Sequence, residues 1–275
     1  METKEYRNLK LIVSWNGEKF HGYQYQPNVF TVQEALNKAW EILTNETVTL
    51  CGCSRLDAGV HAQHYVLNFH TVTQLTAERI IKGFNGILHA NLALDISVYH
   101  AEFVDSNFHS RFQSIGKHYR YLIWYGFSEH AILTKRCWHV RSKLSLEDVK
   151  IYLSQFEGEH DFAAFRASDC SAKTTVRQIF KIDAWTHPIY PEMLIIDIWG
   201  DGFLKNMIRN IVGTSVEIAS GKRNKNTITE AFIHKDRSQT GVCAPSWALT
   251  LMEVYYDKNQ MNQKLQNNKK ELAPC

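Results

Sequence analysis

No stretch of this 275-residue chain approaches the roughly 18 apolar residues that cross a bilayer. Its first residues, Met1 to Arg7, lack the apolar core of a secretory signal. A cytoplasmic protein with no membrane partner is therefore expected. There is no glycine-rich phosphate loop, no short-period repeat and no Cys-x-x-Cys pair. The six cysteines (Cys51, Cys53, Cys137, Cys170, Cys243 and Cys275) are scattered apart from the first two, and no histidines stand at ligand spacing beside them. That pattern argues against zinc and reads as reduced, mostly buried thiols. A large charge of one sign is also missing: 31 Lys and Arg against 28 Asp and Glu leave +3. Such a balance does not by itself mark a nucleic-acid binder. Hydrophobic residues at 44% and charged residues at 21% exclude a disordered chain, and the length allows one large or two medium domains.

The charge that is present is grouped. Basic residues gather at Lys117-His118-Tyr119-Arg120, at Lys135-Arg136 with His139, Arg141 and Lys143, and at Lys222-Arg223-Asn224-Lys225. Each group suits a solvated face. Together, and interleaved with aromatics, they also suit a surface that tracks phosphates and stacks bases.

Periodicity gives the elements. Leu9, Leu11, Val13 and Trp15 alternate as in a strand. Thr31-Val32-Gln33-Glu34 is a capping-box signature, followed by a helical stripe of Val32, Ala35, Leu36, Ala39, Trp40 and Leu43. A strand over Tyr65–Thr71, a helix over Thr76–Leu88 and a strand over Ile96–His100 follow. The order then recurs, with a β-prone run His118–Tyr125 and a helix capped by Ser145. A strand Leu194–Trp199, a long helix Phe203–Ser220 closed by Gly221 and a strand Leu249–Tyr256 complete it. Two α+β halves are expected, residues 1–105 and 106–257, with a loose Asn-, Gln- and Lys-rich tail at 258–275.

One motif offers chemistry. In Ser54-Arg55-Leu56-Asp57-Ala58-Gly59-Val60-His61-Ala62, Arg55 and Asp57 project to one side of an extended segment. A carboxylate beside a guanidinium stays ionised, and an oriented carboxylate can attack carbon. The same pair also suits a surface ion pair or a loop hydrogen bond, so the other motifs must decide.

Those motifs are Gly17-Glu18-Lys19-Phe20-His21-Gly22-Tyr23-Gln24-Tyr25-Gln26-Pro27, Phe108-His109-Ser110-Arg111-Phe112 with Lys117-His118-Tyr119-Arg120-Tyr121, and Gly202-Phe203-Leu204-Lys205-Asn206-Met207-Ile208-Arg209-Asn210-Ile211-Val212-Gly213. With the Asp57 segment, in this order, they closely resemble the tRNA pseudouridine synthase A family, across nearly the whole chain up to Asp257. The resemblance implies two similar α/β halves with mainly antiparallel sheets joined in a continuous central sheet, helices on one side. It implies an isomerase converting uridine to pseudouridine on the 3′ side of the tRNA anticodon stem-loop, working as a homodimer without metal or organic cofactor.

By the same resemblance Asp57 is the catalytic aspartate, and Arg209 its basic partner. Packed neighbours around Arg209 would demand an acid there, so an Asp57–Arg209 pair is expected. Arg55 would help evict the target nucleotide from its stack, or simply contact a phosphate. Tyr119 would stack on the flipped base and could take the C5 proton. Lys117, Arg120, His61, Lys205 and Arg177 are further candidates for substrate contact, and Leu249 for the base pocket. The chain departs from the family pattern at Leu56, Tyr23, Ala93 and Ala248, which leaves another RNA target open. A non-catalytic RNA-binding module and an Asp-nucleophile hydrolase are the competing classes.

Overall fold

The structure is a computed structural model, described here for residues 5–266. Ten strands form one sheet: β1 Arg7–Trp15, β2 Cys51–Gly52, β3 His61–Thr71, β4 Ile96–Val104, β5 Gly116–Tyr125, β6 Trp138–Val140, β7 Gly158–Asp161, β8 Val176–Thr186, β9 Met193–Gly200 and β10 Leu249–Tyr255. The main path runs β4-β1-β3-β10-β5-β9-β8-β7, with β2 on β3 and β6 on β5. Every pairing is antiparallel except β10 with β3 and β5 with β6.

Helices α1 Val32–Thr44, α2 Ala77–Asn85, α3 Leu146–Ser154, α4 Met207–Ala219, α5 Thr227–His234 and α6 Lys258–Gln266 complete the chain. The alternation read from β1 is the reason for the layering. Leu9, Leu11 and Val13 are fully buried in one core with Leu36, Ala39 and Trp40 of α1, and the same core continues through Tyr121 and Ile123 of β5 to Ile211 and Val212 of α4. Thr31 and Ser145 cap α1 and α3 as expected, their hydroxyls accepting from the Glu34 and Asp148 amides.

The connection from β4 to β5 passes residue 105, where the two halves were expected to meet. The last strand, β10, lies between β3 and β5 and so ties the early strands to the later ones. No helix among the described residues is long and apolar enough to cross a membrane.

Two expectations are corrected. The helix expected from Phe203 begins at Met207, because Asn206 takes a left-handed backbone, φ 63°, that no α-helix continues through. The tail expected to be loose from Lys258 starts instead as α6. Met261 is buried with Trp199 and Tyr255, and Leu265 packs beside them. Two apolar residues four apart were enough to seat a mostly polar helix on the far side of the sheet. The rest of that tail, including Cys275, lies outside the described residues. Of the five described cysteines, Cys53 and Cys137 are buried and the other three half-buried.

Candidate active site

The Asp57 segment runs from β2 to β3 in a pleat that turns Leu56 into the core and leaves Arg55 and Asp57 outward. Its backbone is pinned on several sides. The Tyr23 amide donates to the Leu56 carbonyl (3.2 Å), the Gly59 amide to Phe20 (3.1 Å), and the Val60 amide to Asp57 (3.2 Å). The buried Tyr65 hydroxyl donates to the Ser54 carbonyl (2.5 Å). Gly22 and Gly59 adopt φ +86° and +81°, conformations that L side chains rarely take. A Cβ on Gly22 would lie 2.3 Å from the Leu56 carbonyl oxygen. The Gly17–Pro27 motif is thus a buttress: it grips the backbone on either side of Asp57.

Arg209 arrives from the first turn of α4, 152 residues away in sequence. Its Nη1 lies 3.3 Å from Asp57 Oδ2, with the two side chains 17% and 23% exposed. The structure therefore brings together the pair expected from sequence, part-exposed rather than deep in the core. The guanidinium has two shorter bonds: Nε donates to the Ala244 carbonyl (2.7 Å) and Nη1 to Asn206 Oδ1 (2.8 Å). The scaffold fixes the cation, and the carboxylate approaches it with an edge still open to solvent.

Tyr119 on β5 is buried on the same face, its ring edge-on to Phe203 at 5.2 Å between centroids. Burial pushes its phenol pKa well up; the Ser54 hydroxyl works against that shift, and the charges of Cys53 and Asp57 reinforce it. The phenol stays protonated at neutral pH. Lys117, two residues earlier, is also buried, with Nζ 3.2 Å from Ser114 Oγ. Burial lowers its ammonium pKa, partly offset by Cys53 and Asp201.

Other candidates fall around this centre or away from it. Arg55 is exposed and reaches the Ser171 hydroxyl at 3.4 Å. Lys205 pairs with Asp169 in the exposed loop before α4, and Arg177 is half-buried, bonded to Thr174 and the backbone. Leu249 is buried opposite Tyr121 at the start of β10. His61 is buried, and both ring nitrogens are used: Nδ1 accepts from the Gly17 amide (3.0 Å) and Nε2 donates to the Trp247 carbonyl (2.9 Å). Burial lowers its pKa, so it is a neutral brace, not a phosphate contact.

Arg120 is not brought to the site. The pleat sends it to the opposite face of the sheet, where Nε and Nη2 clasp Asp197 at 2.8 and 3.0 Å. His118 Nε2 and Trp185 Nε1 bond the same carboxylate. Sequence reasoning missed Asn206, Phe203 and Ala244 as neighbours of the pair. A cavity of about 400 Å³ lies toward the other end of β3, against Thr47, Thr49, His70 and Ser106–His109; it is separate from Asp57. Among the described residues, no three His, Cys, Asp or Glu side chains cluster as metal ligands would.

A family model described as tRNA pseudouridine synthase matches residues 153–257, which include Arg209. Over 250 residues the chain is 39% identical to the tRNA pseudouridine synthase A of Geotalea daltonii and 41% identical to that of Acetivibrio thermocellus. Each alignment covers 91% of this chain and 100% of the relative. Among solved structures, the archaeal box H/ACA sRNP Nop10-Cbf5 complex aligns with a TM-score of 0.33 at 13% identity, over 76% of this chain and 43% of that one.

Proposed function

The chain belongs to the tRNA pseudouridine synthase A family, and we propose that Asp57 opens the isomerisation of uridines in the anticodon stem-loop. The protein converts uridine in tRNA to pseudouridine: the bond from uracil N1 to the sugar breaks, the base turns, C5 bonds to C1′ in its place and gives up its proton, and N1 gains one. Atoms and oxidation state are conserved, which fits a site that works through side chains alone. One observation carries the reading. Asp57 holds an ionic partner without being sealed by it, because Arg209 is anchored independently to Ala244 and Asn206. Attack on C1′, attack on C6 and a sugar elimination each need such a carboxylate.

A uridine inside a stem must leave the stack to reach Asp57, at a cost of a few kcal/mol. Arg55, exposed and reaching the Ser171 hydroxyl, contacts the strand it vacates. Tyr119 serves as the ring beneath the base. Lys117 supplies a cation beside it. Lys205 and Arg177 lie farther out, where contacts to backbone phosphates belong. The protein acts as a homodimer, which sedimentation at several concentrations checks directly, and in the cytoplasm, which cell fractionation checks.

The test uses unmodified tRNA and maps pseudouridine by carbodiimide-dependent primer-extension stops. Wild-type protein gives stops in the anticodon stem-loop; Asp57→Asn gives none while still binding tRNA. Equal stops from both proteins would remove Asp57 from the chemistry. Stops elsewhere in the tRNA would overturn the assigned target.

A further inference from the structure

Trp247 differs from the other six tryptophans. Trp15, Trp40, Trp124, Trp138 and Trp199 each pack against another ring. Trp185 lies under Arg120 and donates to Asp197. The Trp247 indole is 41% exposed, and no ring among the described residues meets it. Yet its backbone is held firmly. Its carbonyl accepts from His61 Nε2, and His61 is itself fixed by the Gly17 amide. The preceding Ser246 fills the space beside Gly59, where a Cβ would come within 2.7 Å of its Oγ. Residues 246 and 247 are thus packed on the loop that carries Asp57, two positions before Leu249 and β10.

The Lys135-Arg136 group lies next to the anchor of that indole. Lys135 pairs with Glu18 at 2.6 Å, beside the Gly17 whose amide bonds His61. Exposed Arg136 acts on the same imidazole, lowering its pKa further. A large flat ring on a rigid backbone, left in water against the loop that carries Asp57, is poor design for a protein core and good design for a nucleobase. We propose that Trp247 is a stacking platform for an unpaired base of the RNA substrate, with Arg136 taking the adjoining phosphate. The inference rests on the reading that tRNA enters at the Asp57 loop. It assigns a function to the Lys135-Arg136 group that the catalytic centre leaves unused.

The test measures filter binding of an unmodified tRNA transcript across a salt series, beside wild type. Trp247→Ala weakens binding about tenfold with the slope of log Kd against log salt unchanged. Trp247→Phe, which keeps an aromatic face and guards against misfolding, recovers most of that loss. Arg136→Ala lowers the salt slope by about one. Wild-type affinity in Trp247→Ala would overturn the proposal. So would a loss of affinity that tracks a shift in sedimentation mass, because the indole would then belong to an interface between copies. Wild-type protein that binds tRNA through Trp247 yet makes no pseudouridine would overturn the catalytic reading and leave this one standing.

Discussion

Gly22→Ala tests whether the buttress sets the position of the carboxylate. Gly22 has φ +86°, and its added Cβ would sit 2.3 Å from the Leu56 carbonyl oxygen and 3.2 Å from the Asp57 carbonyl carbon. Real Cβ contacts essentially never fall under 3.0 Å, so the Leu56–Asp57 backbone must give way by about 0.7 Å. Left-handed backbone costs alanine about 1–2 kcal/mol, or a fall in Tm of roughly 3–6 °C for a chain of this size. The kinetic effect is larger. A misplacement near 1 Å in an oriented site costs about 100-fold, so single-turnover pseudouridine formation should drop about 10- to 100-fold. Affinity for tRNA, measured by filter binding, should change less than about threefold, since phosphate contacts dominate it. Gly86→Ala is the control: its φ is −59° and a Cβ there meets nothing within 4 Å. Near-normal turnover in Gly22→Ala with a lowered Tm would refute the idea that this glycine positions Asp57.

Arg209→Lys should lower the single-turnover rate by at least about 100-fold, because one ammonium cannot reach Asp57, Asn206 and Ala244 from that stem. The buried Asp197 gives a pH signature. Burial alone would raise its pKa, but the bonds from His118 and Arg120 more than offset this and hold it at about 2, below the ordinary 3.8. Its stabilisation, about 2 kcal/mol, is complete above pH 4 and disappears as pH falls through about 2; Tm against pH should show it. His118, kept below 6.5 by burial, resists protonation, so a further loss begins as pH drops past 6.5. Asp197→Asn breaks this buried ion pair and should cost about 3–5 kcal/mol by denaturant melts, with the loss between pH 4 and 2 flattened.

Most of the architecture could be read from alternation and caps, because strand period and N-cap chemistry are local. Thr31 and Ser145 each accept the amide that their positions call for. The Asp57–Arg209 contact was legible because the family resemblance names Arg209 as the partner of Asp57, and a cation on an apolar helix face has to find an acid. The run Lys117-His118-Tyr119-Arg120 was harder, since letters adjacent in sequence look like one basic surface. The pleat divides it, sending Lys117 and Tyr119 toward Phe203 and Cys53, and His118 and Arg120 toward Asp197. The available signal was the lone acid in Met193-Leu194-Ile195-Ile196-Asp197-Ile198-Trp199, which sits directly across from Arg120 in the β5–β9 register. The start of α4 was not legible because Phe203 and Leu204 continue its apolar pattern, whereas the break depends on the backbone angle of Asn206.

The segment from Gly241 to Leu249 explains how parts so distant in sequence keep their geometry. It lies against α4 because two glycines allow contact that a side chain would forbid. A Cβ on Gly213 would be 1.8 Å from the Val242 carbonyl oxygen, and one on Gly241 2.6 Å from the Thr214 Cα. Ala244 then exchanges bonds with Arg209, its amide donating to the Arg209 carbonyl and its carbonyl receiving the guanidinium. Pro245 receives the Tyr121 hydroxyl from β5, and Trp247 receives His61 from the start of β3. One short stretch therefore couples the cation, the strand bearing Tyr119 and the loop bearing Asp57. The bond lengths give this coupling a chemical consequence. Arg209 holds Ala244 and Asn206 at 2.7 and 2.8 Å but Asp57 only at 3.3 Å. In the proposed chemistry the carboxylate shifts toward the nucleoside while the cation stays in place, so little reorganisation is required as the reaction begins.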